Sequence, residues 1–247
     1  MNDATTITGP LGSTIHVLRA DADTIAELAA IDWSRHFSRV CLDPVRGLIT
    51  LMSPSFSHDD LASILDVVVD ETGSILLGAT RGIRSTRLRG QDEPPGTGLE
   101  PDCAFYLGER ALALRAAILE SKAAANAFVE RPGPDRVVEV ETTHADKGKP
   151  ERYAQMGVRE FWRLHGNKES WELRAEFLAL HPGEAPRRID ASEVLEGLTP
   201  DDVCEAVEGV RISPTLRERA DAVARVVRRR QQASVRVSEE AAKYAAA

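Results

Sequence analysis

Cysteine is scarce in this chain. Cys41, Cys103 and Cys204 are odd in number, far apart and without a CxxC pair. That argues against a disulfide framework or a cysteine-based zinc site, and the three read as small buried hydrophobes in a reducing compartment. A run of about 18 apolar residues is also missing, so no membrane-spanning segment is expected. The opening stretch, MNDATTITGPLGSTI, is polar and acidic where a secretory signal would be basic and then apolar. A cytoplasmic location is the expectation. Cationic excess is lacking too: 31 Lys and Arg face 39 Asp and Glu, a formal charge of −8 at pH 7. This argues against indiscriminate binding of nucleic acid, which needs a cationic face. No internal repeat is visible.

What is present is a 247-residue chain, 43% hydrophobic, which can bury one good core. Its charge is uneven. Residues 217–236 hold Arg217, Arg219, Arg225, Arg228, Arg229, Arg230 and Arg236 against Glu218 and Asp221, so the rest of the chain is strongly acidic. An acidic body can still act on nucleic acid if metal ions neutralise its carboxylates at the site.

Pattern and turn chemistry sort the chain into elements. Residues 1–15 are expected to be disordered. A short helix from Asp23 carries Ile25, Leu28 and Ala29 on one face. SRVCLD and GLITLM flank the turn PVRG as a hairpin. A helix capped near Ser57 repeats Leu61, Ile64, Leu65 and Val68 at helical spacing. GSILLGAT reads as a short β-like run, RGQDEPPGTGLE as a loop and PDCAFYLG as a strand. The Ala-rich stretch 109–130 is helical and ends at RPGP. DRVVEVET is a strand, and KPERYAQMG a helix closed by Gly157. VREFWRL, SWELRAEFLAL and APRRID read as antiparallel strands. TPDDVCEAVE is a helix with Thr199 as cap and Pro200 at its first position. The last helix places Leu216, Ala220, Val223 and Val227 on one side. Mixing without strict alternation predicts one α+β domain with a mixed sheet.

The chemistry gathers around DRVVEVETTHADKGKPERYAQMGVREFW. Residues two apart on a strand share a face, so Glu139 and Glu141 point one way while Val138 and Val140 face the opposite core. Asp102, after Pro101, opens another apolar segment. If the two strands pair, three acids converge, and crowded carboxylates raise one another's pKa unless a cation relieves them. A hard cation such as Mg2+ takes such oxygen ligands. In the plainer reading Glu141 sits at the strand's solvent end and Asp102 caps a turn. Lys147 and Lys149 lie just beyond, and Lys149 opens the helix that carries Tyr153 one turn later. An ammonium there could orient a water and stabilise charge on a phosphoryl oxygen, or be a solvated charge in a polar turn. Tyr153, Phe161 and Trp162 read as packing residues.

EPDCAFYLG, PDRVVEVETT and DKGKPERYAQMGVREFW together resemble the Uma-two family of restriction-endonuclease-like proteins. So do GLITLMSPSFSHDDLASIL upstream and EGLTPDDVCEAVE downstream, and the likeness spans roughly residues 24–208. It implies a PD-(D/E)xK nuclease core, a mixed sheet flanked by helices, over residues 16–212. Residues 109–130 form a helical insertion, and an Arg-rich helix and tail follow over 213–247. It implies that Asp102 and Glu139 hold Mg2+ or Mn2+. Lys149 stands in for the motif lysine, with Lys147 a competitor. Glu141 occupies the motif's own lysine slot, as an extra metal ligand or a disturbance of the charge balance. ETTH replaces the family's LSPS and leaves His144 unassigned. Asp43, His58 and Tyr153 would support the site, although a His in a helix first turn can simply satisfy backbone groups. The implied reaction is hydrolysis of DNA phosphodiester bonds, and a homodimer would suit a cut on both strands. The alternative is a non-cleaving binding or regulatory module on the same fold. The Arg-rich helix is either a nucleic-acid contact or a solvated helix packed by its apolar side.

Overall fold

Short alternating segments pair into two sheets, and the helical repeats cover the larger one. The computed structural model describes residues 4–8, 14–29, 31, 39–53, 56–83, 86–90, 98–130, 133–141, 147–166 and 172–245, with backbone alone for 4–8, 14–15, 39, 52–53, 56–58, 130 and 234–245. In chain order the elements are β1 (Ala4–Thr8), β2 (Thr14–Arg19), α1 (Ala22–Leu28), β3 (Arg39–Asp43), β4 (Leu48–Ser53), α2 (Phe56–Leu77), β5 (Thr80–Gly82) and β6 (Cys103–Leu107). Then follow α3 (Glu109–Glu120), α4 (Lys122–Glu130), β7 (Arg136–Glu141), α5 (Lys149–Gln155), β8 (Glu160–Gly166), β9 (Leu173–Ala179), β10 (Arg187–Ile189), α6 (Pro200–Ile212) and α7 (Leu216–Ala245). The small sheet runs β1-β2-β4-β3 and the large one β10-β9-β8-β7-β6-β5. In the large sheet β7 and β8 are parallel, joined across α5, and the other neighbours are antiparallel. The α+β class with a mixed sheet flanked by helices is as the pattern predicts.

Each face of the large sheet has its own apolar layer. Val138 and Val140 join Phe105, Trp162, Leu164 and Phe177 beneath α2, α6 and α7. On the other face Val137, Ala104 and Phe161 pack with Tyr153 and Ala154 of α5, and with Met156 and Val158 after it. Glu139 and Glu141 share the face of Val137 by the two-residue period of a strand. The acids therefore lie under α5, and α7 lies across the sheet from them. The end of β7 away from the acids is pinned by buried ions. Arg136, fully enclosed, donates to Glu160 and Ser192 at 2.8 Å each, and its guanidinium lies 3.6 Å above the Trp162 ring. Burial outweighs these partners and pulls the Arg136 pKa down to about 10, which still leaves it charged.

Three expectations change. Within the span expected to be disordered, residues 4–8 form β1 and residues 14 and 15 open β2, which pair in register from Ala4↔Leu18 to Thr8↔Thr14. Thr- and Ile-rich alternation suits a strand once β4 offers β2 a partner. GSILL belongs to the last turns of α2, not to a strand. A Cβ at Gly73 would come within 3.0 Å of Leu107 and 3.2 Å of Thr80 side-chain atoms, so close packing holds a glycine that propensity alone would exclude. The helical stretch 109–130 is two helices, broken at Ser121, whose hydroxyl accepts from Ala124 N at 3.0 Å as a cap does. The Arg-rich helix runs on to Ala245. It contributes Ala222, Val223, Val226 and Val227 to buried surface, three of them in the main core.

Candidate active site

Register brings the first two acids together. Cys103 faces Val138 in the antiparallel β6–β7 pair, and continuing that register by one residue sets Asp102 opposite Glu139. Asp102 is held there by its own carboxylate: Oδ2 accepts from Val140 N at 2.6 Å. Both acids are buried, Asp102 at 6% exposure and Glu139 at 2%.

Helix α5 closes over them. Pro150 near its start fixes a helical φ, and Gly157 ends it with φ +82°, the left-handed turn that glycine adopts without strain. Of the two candidate lysines, Lys149 reaches the acids, with Nζ donating to Glu139 Oε2 at 2.7 Å. Lys147 is exposed in the preceding turn. Tyr153, one turn on, donates its hydroxyl to Glu139 Oε1 and stacks on Phe161 at 5.8 Å. Burial, with the Glu139 charge beside it, pushes the Tyr153 phenol well above its ordinary range, so it stays a proton donor. Glu139 therefore has an ammonium on one oxygen and a phenol on the other.

Glu141 turns to a different partner. Its Oε1 accepts from Arg163 Nε at 2.9 Å, and Arg163 also donates to Glu176 at 3.1 Å. Its Oε2 is buried without a hydrogen bond, with His165 Nδ1 3.7 Å away. Burial raises the Glu141 pKa, opposed chiefly by Arg163. His165 is lowered, first by burial and then by the Arg163 charge. Asp43 is engaged elsewhere. It lies buried at the end of β3, accepts from Arg46 N at 3.0 Å and pairs with Arg152 of α5 at 2.9 Å. The small sheet thus grips the helix that carries Lys149. The side chain of His58, and all of His144 and Asp146, lie outside the described residues.

Sequence reasoning passed over Arg152, Arg163 and Arg46. Arg163 had a signal: a lone cation inside the apolar run of β8, as unexpected there as the acids in β7. In the parallel register it stands beside Glu139. Arg152 had none, because an arginine on a short polar helix is ordinary.

Comparison with known proteins adds a single loose likeness. No family profile matches the chain, and no curated protein matches it. A crystal structure from Anabaena variabilis, named as a candidate nuclease belonging to DUF820, aligns over 72% of this chain and 89% of that one. The TM-score is 0.40 and the identity 12%. Similarity at that level carries no functional weight.

Asp102 and Glu139 are carboxylates, the kind of oxygen donor a small hard cation takes. Among the described residues no group of three or more His, Cys, Asp and Glu side chains could hold a metal ion by itself. Mg2+, however, is commonly held by one or two carboxylates and keeps several waters or substrate phosphate oxygens. Asp102 and Glu139 supply two such carboxylates, and Glu139 Oε2 already holds a cationic group in Lys149.

Proposed function

We propose that this protein is a metal-dependent endonuclease that hydrolyses DNA phosphodiester bonds. The observation that carries the reading is Glu139 with the Lys149 ammonium at 2.7 Å, and Asp102 bonded to the backbone of the next residue, Val140. Asp102 and Glu139 would hold Mg2+ or Mn2+. Bound there, the ion supplies Lewis-acid polarisation of the phosphate and an acidified water. The residues of the chain do the rest. Lys149, half-buried at the mouth of the site, turns its ammonium from Glu139 to a phosphoryl oxygen and offsets the charge that builds up as water attacks phosphorus. One P–O bond of the backbone is exchanged for a bond to the water oxygen, leaving a phosphomonoester and a free hydroxyl. Tyr153, held neutral, fixes the orientation of Glu139. Glu141 adds negative charge on the same face of β7, restrained by Arg163. Asp102→Ala or Glu139→Ala is expected to abolish Mg2+-dependent cleavage of a DNA plasmid while the circular dichroism spectrum is unchanged. Undiminished cleavage in either variant overturns the reading.

One observation favours a non-cleaving module instead. Both oxygens of Glu139 have proton donors within the chain, so its charge is answered without a metal. Calorimetry with Mg2+ and Mn2+ separates the two. Heat that disappears in Glu139→Gln supports the endonuclease, and its absence in the wild type supports the module.

A further inference from the structure

The turn between β3 and β4 places a cation at the rim of the site. Arg46 follows Asp43, whose carboxylate accepts its backbone N–H at 3.0 Å and so fixes the turn. Asp43 pairs with Arg152 at 2.9 Å and with the Arg46 guanidinium at 4.0 Å. The guanidinium also lies over Gly148. A Cβ added there would meet Nη1 at 2.9 Å, Cζ at 3.1 Å and Nη2 at 3.5 Å. Gly148 is the residue immediately before Lys149, and its φ of −93° and ψ of −6° are open to any residue. A side chain at 148 would crowd the flexible end of Arg46, which would have to shift. The Arg46 side chain is 40% exposed, and Lys147, next to Gly148 in the chain, is exposed as well. The Arg46 guanidinium thus stands against the turn from which Lys149 reaches the buried Glu139.

We propose that Arg46 is a phosphate-binding residue, gripping the sugar-phosphate backbone of a DNA strand beside the phosphate that Lys149 faces. The proposal rests on the endonuclease reading. A planar guanidinium, with paired N–H donors and a seat fixed by the turn, suits a phosphodiester oxygen pair. Phosphate contacts position a strand without reading its sequence, so the effect of Arg46 is expected to be the same on unrelated duplexes.

The test is fluorescence anisotropy of a short fluorescein-labelled DNA duplex with the full chain, Ca2+ replacing Mg2+, over a NaCl series. Arg46→Gln is expected to weaken binding about tenfold and to lower the slope of log K against log salt by about one. Arg46→Lys should restore the slope. If the wild type binds and cleaves while Arg46→Gln, folded by its thermal melt, binds with unchanged affinity and slope, the role of Arg46 falls and the endonuclease reading stands. A wild type that neither binds nor cleaves DNA overturns both.

Discussion

A buried carboxylate is tolerated only if its charge is answered, and the acids of β7 are answered differently. Glu139 has a cation and a neutral donor, Lys149 and Tyr153. Removing the phenol by Tyr153→Phe keeps the ring and its stack on Phe161 but leaves a buried oxygen short of a donor. A loss of about 1–3 kcal/mol in urea unfolding is expected. Glu141 has Arg163, and burial still lifts its pKa above the model-peptide value of 4.5. The sign follows from proton uptake. Between the unfolded value and the raised folded one, the native state holds a proton that the unfolded chain has lost. This group therefore adds stability as pH falls through the folded pKa toward 4.5, and costs stability above it. His165, lowered from 6.5, works the opposite way: its contribution is lost as pH falls from 6.5 through its folded pKa. Glu141→Gln removes the first effect and keeps the second. On acidification from pH 7 to 4.5 its urea midpoint should fall relative to that of the wild type, and parallel midpoints would refute the assignment.

Among the elements, α5 decides the site. It is only seven residues long, too short to stand alone, and it is held by Tyr153 and Ala154 in the core, by Gly157 at its end and by Arg152 on Asp43. Gly157→Ala puts a side chain in the left-handed region and is expected to cost about 1 kcal/mol by thermal or urea unfolding. Arg152→Met leaves Asp43 buried without its closest cation, a change of about 3–5 kcal/mol where such pairs are fully enclosed. Hydrogen exchange should show amides of residues 151–155 opening faster than those of β8, because the helix loses its grip on the small sheet first. Equal protection in both elements would show that the Asp43 pair does not anchor the helix.

At the scale of the molecule, the large sheet separates two kinds of surface. The acids and α5 lie on one side, and α2, α6 and α7 on the other. Several arginines of α7 are committed to the body: Arg229 to Glu205 and Asp202, Arg230 to the Gly197 carbonyl and Arg219 to the Ser213 carbonyl. Arg217, Arg225 and Arg228 face solvent on a helix across the sheet from Glu139. On the endonuclease reading, replacing these three by Gln is therefore expected to leave the salt slope of DNA binding unchanged. A fall of about 0.9 per arginine would make α7 part of the DNA contact. Removing residues 214–247 is another matter. It uncovers Val223, Val226 and Val227 and the surface they bury, and loss of cooperative thermal unfolding is expected. No helix among the described residues is long and apolar enough to cross a membrane.

The sequence by itself determined the local geometry. A two-residue period put Glu139 and Glu141 on one face of β7 and Val138 and Val140 on the other. Helical spacing and punctuation placed Lys149 and Tyr153 one turn apart, Gly157 at a helix end and Thr199 at a cap, because those signals act over a few residues. Tertiary structure decided what joins residues far apart in the chain. It set Asp102 opposite Glu139, chose Lys149 over Lys147, gave Glu141 to Arg163 and Asp43 to Arg152, and put α7 across the sheet from the acids. Strand order and the direction of a crossing helix settle those pairings. No period along the chain encodes them, because a buried charge takes whichever counter-ion the fold brings within reach.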